Sequence, residues 1–175
     1  MAHTYYASNT TSDLTGGGDF DFSLLHNPDT ANTSVWTVAK TATQSFDLFT
    51  ETNDPSDQGD ATGSWSYELN VITGSADVVA NVFLYRVNSG GTPQAGPIES
   101  AEAGQALTAG IKTYTWSSPA LGTFAAGDRV RVLVSATNGG HQNQDISLGW
   151  NTSDEEFIAP YTLAGALPYA QCVWA

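Results

Sequence analysis

The residues from Leu121 to Thr152 show the clearest alternation of apolar and polar positions in the chain. A first run places apolar side chains at every second position, at Val130, Val132, Val134 and Ala136. This period is typical of a strand with one buried face. Asn138-Gly139-Gly140 is a turn signal, and the alternation resumes at Ile146, Leu148 and Trp150. The pattern therefore predicts two antiparallel strands joined as a hairpin, and an all-β scaffold.

Other segments repeat this strand and turn spacing along most of the chain. They are Phe20–Leu24, Val35–Thr50, Trp65–Val71, Val79–Val87 and Ile111–Trp116. About eight or nine strands without a clear helix favour a single-domain antiparallel β-sandwich, most simply of the jelly-roll type. We interpret residues 1–34 as an N-terminal arm with a first short strand, and residues 35–175 as the sandwich domain with an apolar C-terminal tail.

Composition and charge narrow the classes of function. The chain has 175 residues, enough for one domain. It carries 18 acidic against 5 basic residues, a net charge of −13, which argues against direct contact with nucleic acid or with anionic lipid. Cys172 is the single cysteine, so an intrachain disulfide and a Cys-based zinc site are both excluded. The start, M-A-H-T-Y-Y-A-S, has no secretory signal pattern, and no apolar run reaches the length of a membrane span.

Four segments together resemble a known group of proteins. They read G-S-W-S-Y-E-L-N-V (63–71), V-F-L-Y-R-V-N-S-G-G (82–91), T-Y-T-W-S-S-P-A-L-G-T-F-A-A-G-D-R-V-R-V (113–132) and S-L-G-W-N-T (147–152). This order of strands and turns resembles the β-sandwiches of phage virion accessory proteins, such as capsid decoration (cement) proteins and fibre-like domains. The resemblance covers residues 63 to 152 and contains no catalytic signature.

The resemblance implies a non-enzymatic structural protein of a bacteriophage virion. We expect a capsid decoration protein that is made in the host cytoplasm, forms a homotrimer and stabilises the shell by binding the major capsid protein or other virion subunits. The alternative is a carbohydrate- or receptor-binding module on a tail fibre or cell surface. A hydrolase is a third class, for which the sequence offers no local motif such as G-x-S-x-G or H-E-x-x-H.

An acidic loop is the candidate metal site. Asp54, Asp57 and Asp60 lie in E-T-N-D-P-S-D-Q-G-D and supply the hard oxygen ligands that Ca²⁺ prefers. Their spacing differs from the alternating ligands of an EF-hand, so a solvated acidic turn is the competing interpretation. We predict no other cofactor.

Candidate interface residues come from the two ends of the chain and from one strand. The C-terminal tail has apolar side chains that would be exposed to water unless another segment or subunit packs against them. The N-terminal arm has two tyrosines that could contact a partner. Arg129 and Arg131 alternate with valines, so we expect them side by side on a polar face that an acidic neighbouring subunit would meet. The predicted set is Tyr5, Tyr6, Arg129, Arg131, Leu167, Tyr169, Val173 and Trp174. For the tryptophans, core packing is favoured over an exposed sugar-stacking platform, because they keep the apolar phase of their strands.

Overall fold

The protein is described by a computed structural model, which covers residues 3–25, 27–50, 59–60, 63–151 and 154–160. Fourteen strands and no helix occur in these ranges. The first seven are β1 (His3–Thr11), β2 (Phe20–Leu25), β3 (Asn32–Val38), β4 (Thr43–Thr50), β5 (Gly59–Asp60), β6 (Ser64–Thr73) and β7 (Ser75–Val87). The other seven are β8 (Pro93–Glu99), β9 (Gln105–Leu107), β10 (Gly110–Ser117), β11 (Thr123–Phe124), β12 (Arg129–Asn138), β13 (Gln144–Trp150) and β14 (Glu156–Ala159).

Twelve of the strands form one continuous mixed sheet. The hydrogen-bonded order is β3-β13-β6-β14-β1-β2-β4-β12-β7-β8, with β10 on β6 and β9 on β7, while β5 and β11 form a separate pair. The prediction of an all-β fold is confirmed. The prediction that the strands are antiparallel throughout is wrong, because β2 and β4 run parallel, with Phe22 opposite Leu48.

The sheet folds back on itself. Phe46 of β4 lies six strands from β3 along the hydrogen-bonded order, a distance of about 29 Å in a flat sheet. Yet its ring centroid is 5.1 Å from that of Trp36 in β3 and 5.8 Å from that of Trp150 in β13. Strand β4 therefore faces β3 and β13, and part of the core lies between them.

Side chains at alternate positions of the strands on the two sides of the core fill it. In β6 the buried positions are Trp65, Tyr67, Leu69 and Val71, and in β12 they include Val130, Val132, Val134 and Ala136. These residues belong to one apolar cluster that also contains Leu24, Phe46 and Leu148. The period-2 pattern in the sequence thus identified the inward face of both strands correctly.

The predicted hairpin between β12 and β13 is wrong. β12 pairs with β4 on one side and β7 on the other, so both of its edges are already occupied. β13 instead pairs with β3 and β6 in the facing part of the sheet. The loop between them starts at Asn138, whose side-chain amide donates to the carbonyl oxygens of Val38 and Gln142, and this loop carries the chain across the core.

The segment interpreted as an N-terminal arm, residues 1–34, contributes β1, β2 and the start of β3 to the sheet. β1 lies between β14 and β2, and β2 lies between β1 and β4. The connection between β1 and β2 passes over the outer face of β4 and β12, where Leu14 packs against Phe49 and Val87. A second, smaller apolar cluster therefore covers this outer face.

Candidate functional site

An aromatic cleft lies where β2 faces β3 and β13 across the folded sheet. Strand β2 supplies Phe20 and Phe22, and the facing strands β3 and β13 supply Trp36 and Trp150. The volume of the cleft is about 250 Å³. The remaining lining residues are Asn9, Ser34, Val35, Phe46 and Leu148. The cleft therefore exists only because β2 and β3, which are joined by a short connection, lie in opposite parts of the sheet.

The rings in the cleft form a continuous aromatic wall. Phe20 and Phe22 are two residues apart on one face of β2, and their rings are parallel, with an interplanar angle of 3° and centroids 5.9 Å apart. Phe22 makes an edge contact with Trp150 at 5.1 Å. Phe20 is 50% exposed, so one end of this wall is open to a ligand.

Polar groups border the aromatic wall. The indole N–H of Trp150 donates to the Ser34 hydroxyl at 2.7 Å, and the Asn32 side-chain amide donates to Asn9 Oδ1 at 3.3 Å. All nine lining residues are uncharged, although the chain carries a net charge of −13. The cleft is thus an uncharged, partly polar site within an acidic protein.

A second feature is a row of exposed apolar side chains on the outer face of adjacent strands. Ile111 of β10 is 47% exposed, Ile72 of β6 is 46% exposed and Val35 of β3 is 63% exposed. Ile111 lies opposite Asn70, which shares a face with Ile72, and Val35 lies opposite Ser147 of β13. We call Val35, Ile72 and Ile111 the outer row; it crosses four hydrogen-bonded strands, β10-β6-β13-β3.

The two arginines of β12 are not on an exposed face, which corrects the prediction. Arg129 is 1% exposed and makes a two-point ion pair with Asp13, both distances being 2.7 Å. Arg131 is 8% exposed and pairs with Asp47 through Nε and an Nη atom, at 2.6 and 3.0 Å. Their acidic neighbours therefore belong to the same chain, since the connection between β1 and β2 covers this face.

Asp47 links the Arg131 ion pair to a glycine loop. Its Oδ2 atom accepts hydrogen bonds from the backbone N–H groups of Gly17 and Gly18, both at 2.9 Å. The Arg131 guanidinium also lies over the Tyr85 ring, 4.6 Å from its centroid. The carboxylate thereby holds the connection between β1 and β2 against the sheet with a fully satisfied charge.

Glu155 is a buried carboxyl group immediately before β14. It is fully buried and lies on the same side of the strand as Phe157 and Ala159. Neither side-chain oxygen has a hydrogen-bond partner of normal geometry, and the nearby Tyr67 hydroxyl also lacks one. Burial, opposed by a hydrogen bond from the Asn70 backbone and assisted by the Asp154 carboxylate, raises the pKa of Glu155 to about 9. Glu155 is therefore protonated at neutral pH.

The structure locates the other predicted site residues as follows. Asp54 and Asp57 lie outside the described residues, as do Leu167, Tyr169, Val173 and Trp174. Asp60 belongs to β5, which pairs with β11. Tyr5 is fully buried in the core and Tyr6 is half-buried. The calcium site and the interface role of the tail stay predictions. Elsewhere in the described ranges, no group of three His, Cys, Asp or Glu side chains could hold a metal ion.

The preference for core tryptophans is confirmed at four positions. Trp36, Trp65, Trp116 and Trp150 are 5% exposed or less. Trp65 and Trp116 lie directly opposite each other in β6 and β10. Among the residues that the structure describes, the large aromatic side chain that is half exposed is instead Phe20, which the sequence pattern assigned to a short strand without giving it a role. The sequence feature that could have identified Phe20 is its alternation with Phe22, next to a run of three glycines.

Comparisons with known proteins show similarity of fold only. No protein-family model matches this chain, and no curated protein matches it. A CocE/NonD family hydrolase from Staphylococcus aureus has a similar structure, with a TM-score of 0.52 and 11% identity over 92% of this chain. The chain spans 36% of the length of that hydrolase. At this identity the likeness indicates a shared fold and carries no activity to this chain.

Two further solved structures are less similar. A second structure of a CocE/NonD family hydrolase from Staphylococcus aureus has a TM-score of 0.49 with 11% identity, covering 91% of this chain and 36% of the other. The infectious bursal disease virus Gx strain has a TM-score of 0.35 with 15% identity, covering 90% of this chain and 38% of the other. Within the described ranges, no helix has the length and apolar character to cross a membrane.

Proposed function

We propose that this chain is a non-enzymatic structural protein of a bacteriophage virion, a capsid decoration protein that binds the major capsid protein through the outer row. The observation that carries this proposal is the position of Val35, Ile72 and Ile111 on one face of four adjacent strands. Exposed apolar side chains on one face are a mark of protein–protein contact sites.

The surroundings of the outer row fit a protein partner. Between its members lie Asn70, Ser147 and Gly149, which are small or uncharged. A Cβ atom at Gly149 would lie 2.8 Å from the Asn70 side-chain amide nitrogen. Because glycine has no side chain, no group protrudes from the sheet at this position. This low strip of the face can approach another protein closely, with the carboxylates of Glu68 and Asp145 beside it on the same face. Each Å² of apolar surface buried there contributes about 25 cal/mol.

The charge distribution supports an outer position on a particle. Arg129 and Arg131 are occupied by carboxylates of the same chain, and Arg86 lies 3.6 Å from Asp128. With 18 acidic residues in total, the surface that remains is strongly acidic. Such a surface repels packaged nucleic acid and favours the outside of the shell.

The mechanism we propose is stabilisation by binding. A protein that binds the assembled shell more tightly than its free subunits shifts the equilibrium towards the shell. In this proposal the folded-back sheet is a β-sandwich of the jelly-roll type and the chain acts as a homotrimer. The contact between Phe46 and Trp36 across the core supports the sandwich arrangement, since facing layers are what a sandwich requires.

The test is to locate the protein in particles and then to change the outer row. We expect mass spectrometry and immunogold labelling to find the chain on the outside of purified virions. Ile72→Asp with Ile111→Asp should abolish binding to particles that lack the protein while leaving the circular dichroism spectrum unchanged. Val79→Asp, at an exposed apolar position of β7, is the matched control and should bind normally. Absence of the chain from virions, or full binding by the double variant, would contradict the proposal.

A further inference from the structure

We propose that the aromatic cleft binds a single neutral sugar ring, which stacks on Phe20 and uses Asn9 and Ser34 for its hydroxyl groups. This site shares Val35 with the outer row, and the proposal does not depend on a role in a virion.

The stacking surface is the open end of the aromatic wall. Phe20 is half exposed, while Phe22 behind it is held by Phe46 and Trp150, at 5.8 and 5.1 Å. The parallel contact with Phe22 fixes the plane of the Phe20 ring. A fixed, exposed ring face suits the C–H face of a pyranose, because a rigid aromatic surface loses little conformational entropy on binding.

The groups beside the ring set the chemical class of the ligand. Asn9 and Ser34 carry an amide and a hydroxyl, which are uncharged and can both donate and accept hydrogen bonds. No Lys, Arg, Asp or Glu lines the cleft. An anionic ligand would have no cation to pair with, and a cationic ligand would have no carboxylate. A ring with several hydroxyl groups fits both the apolar wall and this neutral border.

The size of the cleft limits the ligand to one ring. Its volume of about 250 Å³ lies just below the range of about 300–1,000 Å³ that is usual for pockets binding drug-sized molecules. A longer glycan would extend from the cleft past Phe20, where the surface is open.

The test is direct titration of the full chain with D-glucose, D-galactose, N-acetyl-D-glucosamine and cyclohexanol. Binding is followed by tryptophan fluorescence, since Trp36 and Trp150 line the cleft, and by saturation-transfer NMR on the ligand. We expect saturable binding of at least one sugar, with cyclohexanol, which has one hydroxyl group, binding about tenfold more weakly or worse. No saturable sugar binding, or cyclohexanol binding as tight as that of every sugar, would overturn the proposal.

Three variants locate the site. Phe20→Ala should weaken binding of the sugar about tenfold through loss of stacking, and Asn9→Ala about fivefold through loss of one hydrogen bond. Val79→Ala is the matched control, because Val79 of β7 is also an exposed apolar residue, at 38%, and lies outside both the cleft and the outer row. Its affinity should equal that of the wild type. Unchanged affinity in Phe20→Ala would overturn this location even if a sugar binds.

Discussion

Arg131 and Asp47 form a buried ion pair in which two nitrogen atoms of the guanidinium meet the two oxygen atoms of the carboxylate, at 2.6 and 3.0 Å. Asp47 is fully buried, and its Oδ2 atom also accepts the backbone N–H groups of Gly17 and Gly18. One carboxylate thus joins β4, β12 and the connection between β1 and β2.

Replacement of Asp47 should strongly destabilise the fold. In Asp47→Ala, Arg131 keeps a buried charge without its partner, and Gly17 and Gly18 lose their acceptor. We expect a loss of about 3–5 kcal/mol in the free energy of unfolding, measured by urea denaturation. Asp145→Asn, at an exposed position whose carboxylate accepts from Thr37, is the control and should change stability by at most about 0.5 kcal/mol. A loss below about 1 kcal/mol in Asp47→Ala would show that the ion pair is dispensable.

Two neighbouring glycines should respond differently to the same substitution. A Cβ atom on Gly16 would lie 1.9 Å from Asp47 Oδ2, whereas a Cβ on Gly17 would lie 3.6 Å from the nearest atom, on Arg131. Gly16→Ala should therefore displace the carboxylate and cost about 1–3 kcal/mol of unfolding free energy. Gly17→Ala should cost about 0.5 kcal/mol or less, because its N–H still donates to Asp47. Equal effects in thermal and urea unfolding would argue against this close approach.

The stability of the protein should fall as the pH rises from about 4.5 towards 9. The folded state keeps Glu155 protonated up to a pKa of about 9, whereas the unfolded state releases this proton near the ordinary value of 4.5. The contribution of Glu155 to the free energy of unfolding is therefore complete below its pKa in the unfolded state. It falls by up to about 1.4 kcal/mol per pH unit as the pH rises to its pKa in the folded state.

Glu155→Gln tests this effect because glutamine keeps the shape of the side chain and cannot ionise. We expect the variant to match the wild type near pH 4 and to be increasingly more stable than it between pH 5 and pH 9, in urea denaturation at each pH. Glu156→Gln, at the less buried neighbouring position, controls for the change in net charge. A constant difference between Glu155→Gln and the wild type across this range would refute a raised pKa.

Phe46 should be essential for the contact between the two facing parts of the sheet. It is 1% exposed and touches Trp36 and Trp150 across the core. Phe46→Ala should cost about 3–5 kcal/mol of unfolding free energy through the cavity that it leaves. Phe20→Ala, also in an aromatic contact but half exposed, should cost about 1 kcal/mol. Similar losses in the two variants would contradict the folded-back arrangement.

Local patterns predicted the strands well and their partners poorly. The alternation at Val130, Val132 and Val134 identified the inward face of β12, because a strand repeats every two residues. Pairing depends on residues far away in sequence: β12 pairs with β4 and β7, and the adjacent β13 pairs with β3 and β6. A turn signal at Asn138-Gly139-Gly140 shows that the chain changes direction, and it does not show whether the next strand stays in the same layer.

The candidate sites were likewise predictable from sequence only where a local pattern determines them. Sequence alone determined an all-β chain, a strongly acidic surface and tryptophans on the core side of their strands, since each follows from composition or from the two-residue period. The tertiary structure decided that Arg129 and Arg131 are covered, because a connection over one hundred residues earlier brings Asp13 onto Arg129. It also decided that Glu155 points inward, because β14 lies between β1 and β6, and that Phe20 borders a cleft, because the sheet folds back. Burial and charge pairing arise between distant segments, and a linear pattern records only which face of its own strand a residue occupies.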